Sequence, residues 1–145
     1  MRMAGLPATF DLLASTANEA ADSVLLAALD STHREARDAG LAALLQRRNP
    51  AAELNILRRW PEMSERWKSL IAQRPDWLSS AIRATVVHRD SRLFETACTA
   101  AVFTHNYDSL DVLIAAASDV ANPLGRTAAT ATLELSEQIL EELAS

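Results

Sequence analysis

The stretch from Ser23 to Leu45, SVLLAALDSTHREARDAGLAALL, constrains the fold most, because it reads as a helix, a tight turn and a second helix. Val24, Leu25, Ala28 and Leu29 recur at helical spacing, and the run ends at Asp30-Ser31-Thr32, where side-chain oxygens compete with the helical ladder. Thr32 followed by Glu35 has the capping-box pattern, so the next helix is expected to begin near His33. Within it Ala36, Ala39, Gly40, Ala43 and Leu44 share one face, and most are small. Small side chains let two helices approach closely, as a stack of hairpins requires.

With its apolar first helix ending in Leu29, a short turn, then Ala36, Arg37, Ala39, Ala43 and Leu44, the unit resembles a HEAT repeat. It departs from that pattern at Ser31, where the family usually has aspartate (Asp30 stands one place early), and at Arg34, where it has the turn proline. The second-helix pattern recurs twice more. VLIAAASDVANPLGRTAATATL supplies Arg126, Ala128, Thr132 and Leu133, preceded by Val112, Leu113 and Ala116; SRLFETACTAAV supplies Phe94, Glu95, Ala97, Ala101 and Val102, with glutamate in the arginine's place. Arg37 to Glu95 is 58 positions and Glu95 to Arg126 is 31, so the first interval holds two periods and a degenerate unit is expected between. The resemblance spans residues 17–142 and implies an all-α, right-handed stack of about four antiparallel helical hairpins, a HEAT-like α-solenoid.

Local signals place the helices. Phe10, Leu12 and Leu13 read as a short apolar cap over the first hairpin, and Thr16 with Glu19 as a capping box opening a helix to Leu29. Asn49-Pro50 opens a helix to Arg59, and Trp60-Pro61 breaks it. A helix over 62–73 carries Met63, Trp67, Leu70 and Ile71 on one face, and Trp67 is read as core. Pro75-Asp76 opens the helix with Leu78, Ala81, Ile82, Thr85 and Val86; Asp90-Ser91 caps the one with Phe94 and Cys98. Residues 106–109 start a helix to Ser118, and Asn122-Pro123 starts the last, to Glu142. That gives eight helices and no strand. Glu141 and Glu142 have the wrong sign for a helix C-terminus, so residues 1–145 are read as one domain that either ends there or continues into a longer protein.

An apolar share of 49% over 145 residues suits one continuous core. No apolar run approaches the roughly 20 residues of a membrane span, and MRMAGLPATF lacks a secretory leader's apolar segment. The single cysteine, Cys98, is read as a small buried apolar residue, and the expected compartment is the cytoplasm.

Charge bears most on function. Residues 47–92 hold ten of the fourteen basic side chains and all three tryptophans, whereas residues 93–145 hold eight acidic side chains and one arginine. A basic, aromatic middle between acidic ends is read as a candidate docking surface for an acidic peptide or a phosphate backbone, the plainer reading being solvated charges over core tryptophans. Its candidate contacts are Arg58, Arg59, Trp60, Arg66, Trp77 and Arg83; Trp60 and Trp77 flank helix starts and fit surface and core equally.

His33, His88 and His105 stand apart from one another and from Cys98, and no phosphate loop or nucleophile elbow is present, so no metal, cofactor or catalytic site is expected. Some HEAT-like proteins bind iron through His-Glu pairs, a dipeptide missing from this chain. The expected function is therefore a non-catalytic scaffold holding a protein partner's segment on its concave face. The alternative is a nucleic-acid-associated protein similar to the HEAT-like DNA alkylpurine glycosylases, against which a pI near 5.1 argues.

Overall fold

The computed structural model describes residues 6–145; the first half of the MRMAGLPATF segment lies outside them. All regular secondary structure among the described residues is helical: α1 Leu6–Ser15, α2 Ala20–Ala28, α3 Arg34–Arg47, α4 Pro50–Arg59, α5 Glu65–Ala72, α6 Ser79–His88, α7 Phe94–Phe103, α8 Leu110–Ser118 and α9 Gly125–Ala144. Short 3-10 turns at Trp60–Glu62, Pro75–Leu78 and Tyr107–Ser109 precede α5, α6 and α8. The expected apolar cap at Phe10 is itself a helix, which makes nine among the described residues.

Proline and asparagine mark the ends as their chemistry dictates. Asn49 Oδ1 accepts the amides of Ala51 (2.9 Å) and Ala52 (3.4 Å) ahead of Pro50, and Asn122 Oδ1 accepts that of Leu124 (2.9 Å) before α9. Neither expected capping box forms. Asn18 Oδ1 takes the Ala20 amide (2.9 Å), so α2 starts later than Thr16 and Glu19 imply, and Ser31 Oγ takes the His33 amide (3.1 Å) before α3. Ser64 Oγ caps α5 by accepting the Trp67 amide (3.2 Å), which delays that helix to Glu65. Arg48, Arg89 and His105, with φ of 59°, 54° and 53°, turn the chain left-handed after α3, α6 and α7, a conformation more often given to glycine.

The chain forms two compact units, and the division falls inside α4, between Glu53 and Leu54. In the first unit α2 and α3 pair antiparallel. Gly40 sits where a Cβ would stand 3.0 Å from Ala28 Cβ and 3.2 Å from the Leu25 carbonyl, so its lack of a side chain sets the approach of the two helices. At their other end Arg47 Nε meets Asp22 Oδ1 at 2.6 Å, with both side chains largely buried. The same guanidinium donates to the carbonyls of Leu13 (2.7 Å), Thr16 (2.5 Å) and Asn18 (3.2 Å), gathering the end of α1 and the start of α2 around one cation. Helix α1 packs against both, through buried Phe10 and Ala14; Leu12 is exposed.

In the second unit α6 packs on α7 and α8, and α9 on α7 and α8. Ser79 meets Asn106 (3.3 Å), Arg83 meets Asp111 (2.6 Å) and Arg89 meets Asp119, so contacts advance together along both chains and α6 runs in the same direction as α8. Likewise Gln138 Nε2 donates to the Val102 carbonyl (2.9 Å) and Glu142 Oε1 meets His105 Nδ1 (3.1 Å), so α7 runs with α9. The core between them comprises Val86, Phe94, Cys98, Leu113, Ala116, Ala128, Ala131 and Leu135. Leu133, the pattern's leucine in α9, is 65% exposed, while Leu135 is fully buried. Of the pattern's apolar residues in α9, Ala128 does reach the core, and the leucine that joins it there is Leu135 in place of Leu133.

Candidate functional site

The six candidate residues all lie in the second unit, and their surroundings differ. Arg58 and Arg66 are exposed. Arg59 is half-buried and donates to Asn55 Oδ1 (3.3 Å). Trp60 is 1% exposed, packed edge-on against Phe103 with ring centres 5.6 Å apart and Lys68 Nζ 5.4 Å from its ring, so it is core and no contact surface. Trp77 is half-buried beneath Arg74, at 5.5 Å. Arg83 binds Asp111 through two nitrogens (2.6 and 3.1 Å) and the Asp108 carbonyl (2.5 Å); the pair raises the arginine pKa and lowers that of Asp111. Arg89 is paired with Asp119, whose carboxyl is held low first by the Ala121 amide and then by Arg89. Trp67, read as core, is only half-buried, and Leu70 is 36% exposed; Ile71 is the side chain of that stripe that reaches the interior.

A different arrangement emerges between α7 and α9. A groove of about 570 Å³ is lined by Glu95, Cys98, Thr99, Val102 and Phe103 from α7 and by Arg126, Thr127, Thr130, Ala131 and Glu134 from α9. That volume falls within the range of ligand clefts, about 300–1,000 Å³. Its apolar surface comes from Val102, Phe103 and Ala131, and its charges from Glu95, Arg126 and Glu134, none of which makes an ion pair among the described residues. Cys98 is 4% exposed, and burial, with Glu95 nearby, pushes its thiol up to about 12, so it is a neutral packing group.

Beyond the groove's end lies a polar cluster. Glu142 Oε1 accepts from the Tyr107 hydroxyl (2.8 Å) and meets His105 Nδ1 (3.1 Å), and these contacts, Tyr107's first and then that of His105, hold its carboxyl below the ordinary range. The Tyr107 hydroxyl is pushed up to about 12 by desolvation and by Glu142. His33, His88 and His105 are all exposed, and no group of three potential metal ligands occurs among the described residues. No helix there is long and apolar enough to cross a membrane.

Sequence reasoning based on charge density passed over this groove, although its signal was present. Glu95 and Arg126 are two of the three residues that the repeat pattern aligned, with Arg37, and they stand on opposite walls of one groove. A smaller groove, of about 300 Å³, lies between α1 and α3, with Phe10, Ala14, Ala39 and Ala43 among its lining. No family model, curated protein or solved structure matches the chain.

Proposed function

We propose that this protein is a non-catalytic helical-repeat module, a right-handed HEAT-like stack of hairpins, that holds a segment of a protein partner along its second helices. The observation that carries the reading is the groove between α7 and α9, whose three charged side chains have no ion-pair partners among the described residues while Arg83 and Arg89 do. The repeat part of the reading is supported by the like direction of α6 and α8 and of α7 and α9, and by the 31-residue interval between the aligned Glu95 and Arg126. Architecture alone carries no activity, so the proposal stands on the groove.

The nucleic-acid alternative draws on the basic middle. Trp60 is buried there and Arg83 is neutralised, which leaves Arg58 and Arg66 as its exposed arginines among the six candidates. A photo-crosslinking residue at Phe103, and in a second variant at Arg58, separates the two readings. Crosslinks from position 103 to a polypeptide, surviving nuclease and raised salt, are expected. Nuclease-sensitive crosslinks from position 58 alone overturn the proposal, since phosphate contacts weaken steeply with salt.

A further inference from the structure

Resting on that reading of the groove, we infer the chemistry of its occupant: a cationic amphipathic segment, carrying Lys or Arg beside an apolar stripe. Arg126, Thr130, Glu134, Glu137 and Glu141 follow at spacings of four, four, three and four, which sets them along one face of α9. The first three line the groove, so its wall continues into an acidic ridge. Glu134, Glu137 and Glu141 are exposed and make no ion pair among the described residues. On the facing wall stands Glu95, also exposed, and the apolar end is Val102 with Phe103, which is 37% exposed.

This combination selects an occupant by sign. Residues 93–145 carry one basic side chain, Arg126, against eight acidic ones, so a phosphate backbone or an acidic peptide meets like charge along α9. A cationic segment meets opposite charge there and Phe103 at the groove's end. The ten residues of α7 span about 15 Å, which matches about three helical turns of the occupant. Apolar residues at i and i+4 would enter the groove, with the basic side chains on the α9 side.

The test uses the full chain and three labelled helical peptides of identical apolar pattern, whose polar face is Lys/Arg, Gln or Glu, followed by fluorescence anisotropy. The Lys/Arg peptide is expected to bind about tenfold or more tightly than the Gln peptide, with the difference shrinking as salt rises. In the variant Glu134→Lys with Glu137→Lys, whose positions are exposed, the preference should reverse toward the Glu peptide while the helical CD signal is unchanged. Equal binding of all three peptides overturns the charge inference. If that binding is also lost when Thr99→Trp fills the groove, the docking reading survives without it. Failure of every peptide, together with absence of crosslinks from position 103, sinks both. Self-association of the wild-type chain, abolished by the charge reversal, would make a second copy the occupant and likewise overturn the inference.

Discussion

Arg47→Met is the most informative single perturbation of the first unit. The guanidinium makes one contact with the Asp22 carboxylate and three with backbone carbonyls, and its side chain is 8% exposed. Methionine retains much of the aliphatic stem but leaves Asp22 buried with Asn49 Nδ2, at 2.8 Å, as its remaining side-chain donor. Breaking a buried ion pair by removing one partner costs about 3–5 kcal/mol, chiefly because the other charge is left uncompensated. At about 2 kcal/mol per molar urea, that lowers a denaturation midpoint by about 2 M. Arg37→Met is the internal comparison, since its guanidinium makes a single bond to the Ser31 carbonyl (2.9 Å), worth about 1 kcal/mol. Pairing Arg47→Met with Asp22→Leu should restore a large part of the loss, because no orphan charge remains. The readout is far-UV CD in urea, with amide hydrogen exchange to locate the loss in α1 to α3. A cost for Arg47→Met below about 1 kcal/mol, or equal to that of Arg37→Met, refutes the claim that one buried cation ties these helix ends together.

Three more expectations follow from contacts already described. Gly40→Ala should forfeit the gain of about 1 kcal/mol that alanine normally brings to a helix interior, and Gly40→Val should destabilise outright, both measured by urea unfolding; a stabilised valine variant would contradict the close approach to Ala28. Cys98 should resist a thiol reagent at pH 8 in the native protein and react promptly in urea, because burial keeps the thiol protonated; fast native labelling would refute this. The Glu142 carboxyl, followed by NMR, should titrate below its ordinary value of 4.5 and move back toward it in Tyr107→Phe. Because that folded-state pKa is depressed, the contact's stabilisation is complete above pH 4.5 and fades as pH falls through the lowered value; fraying at the end of α9 that sets in above pH 4.5 would contradict the assignment.

Helix ends were readable where the chemistry is local. Asn49-Pro50 and Trp60-Pro61 act locally and the α4 boundaries fall there, while Asn122-Pro123 leads into α9 two residues later, at Gly125. The capping boxes were misread because a neighbour one or two positions away does the same work. Asn18 and Ser31 offer their oxygens to the amides of Ala20 and His33, not to the Glu19 and Glu35 amides that the boxes would serve. Facing was harder than periodicity. In α5 the stripe of Trp67, Leu70 and Ile71 has the right spacing, yet in this two-turn helix Ile71 alone of the three is fully buried. Leu133 and Leu135 differ by two positions and by the whole of their exposure, which is decided by where α7 and α8 lie. The groove escaped for the same reason, since its walls are halves contributed by helices 31 positions apart and only packing joins them.

The shared direction of α7 and α9 gives their groove a polarity. In an antiparallel pair the two helix dipoles largely cancel, but here both positive ends lie at one end of the groove and both negative ends at the other. Arg126 stands at the positive end, and the glutamates from Glu134 to Glu142 follow α9 toward the negative one. Along α9 the two sources of field add, while Glu95, in the first turn of α7, opposes them on the facing wall. A helical segment entering this groove would therefore have a preferred heading, with its own N-terminus toward the glutamate end. A strip of surface built this way would distinguish a docked segment from its reverse.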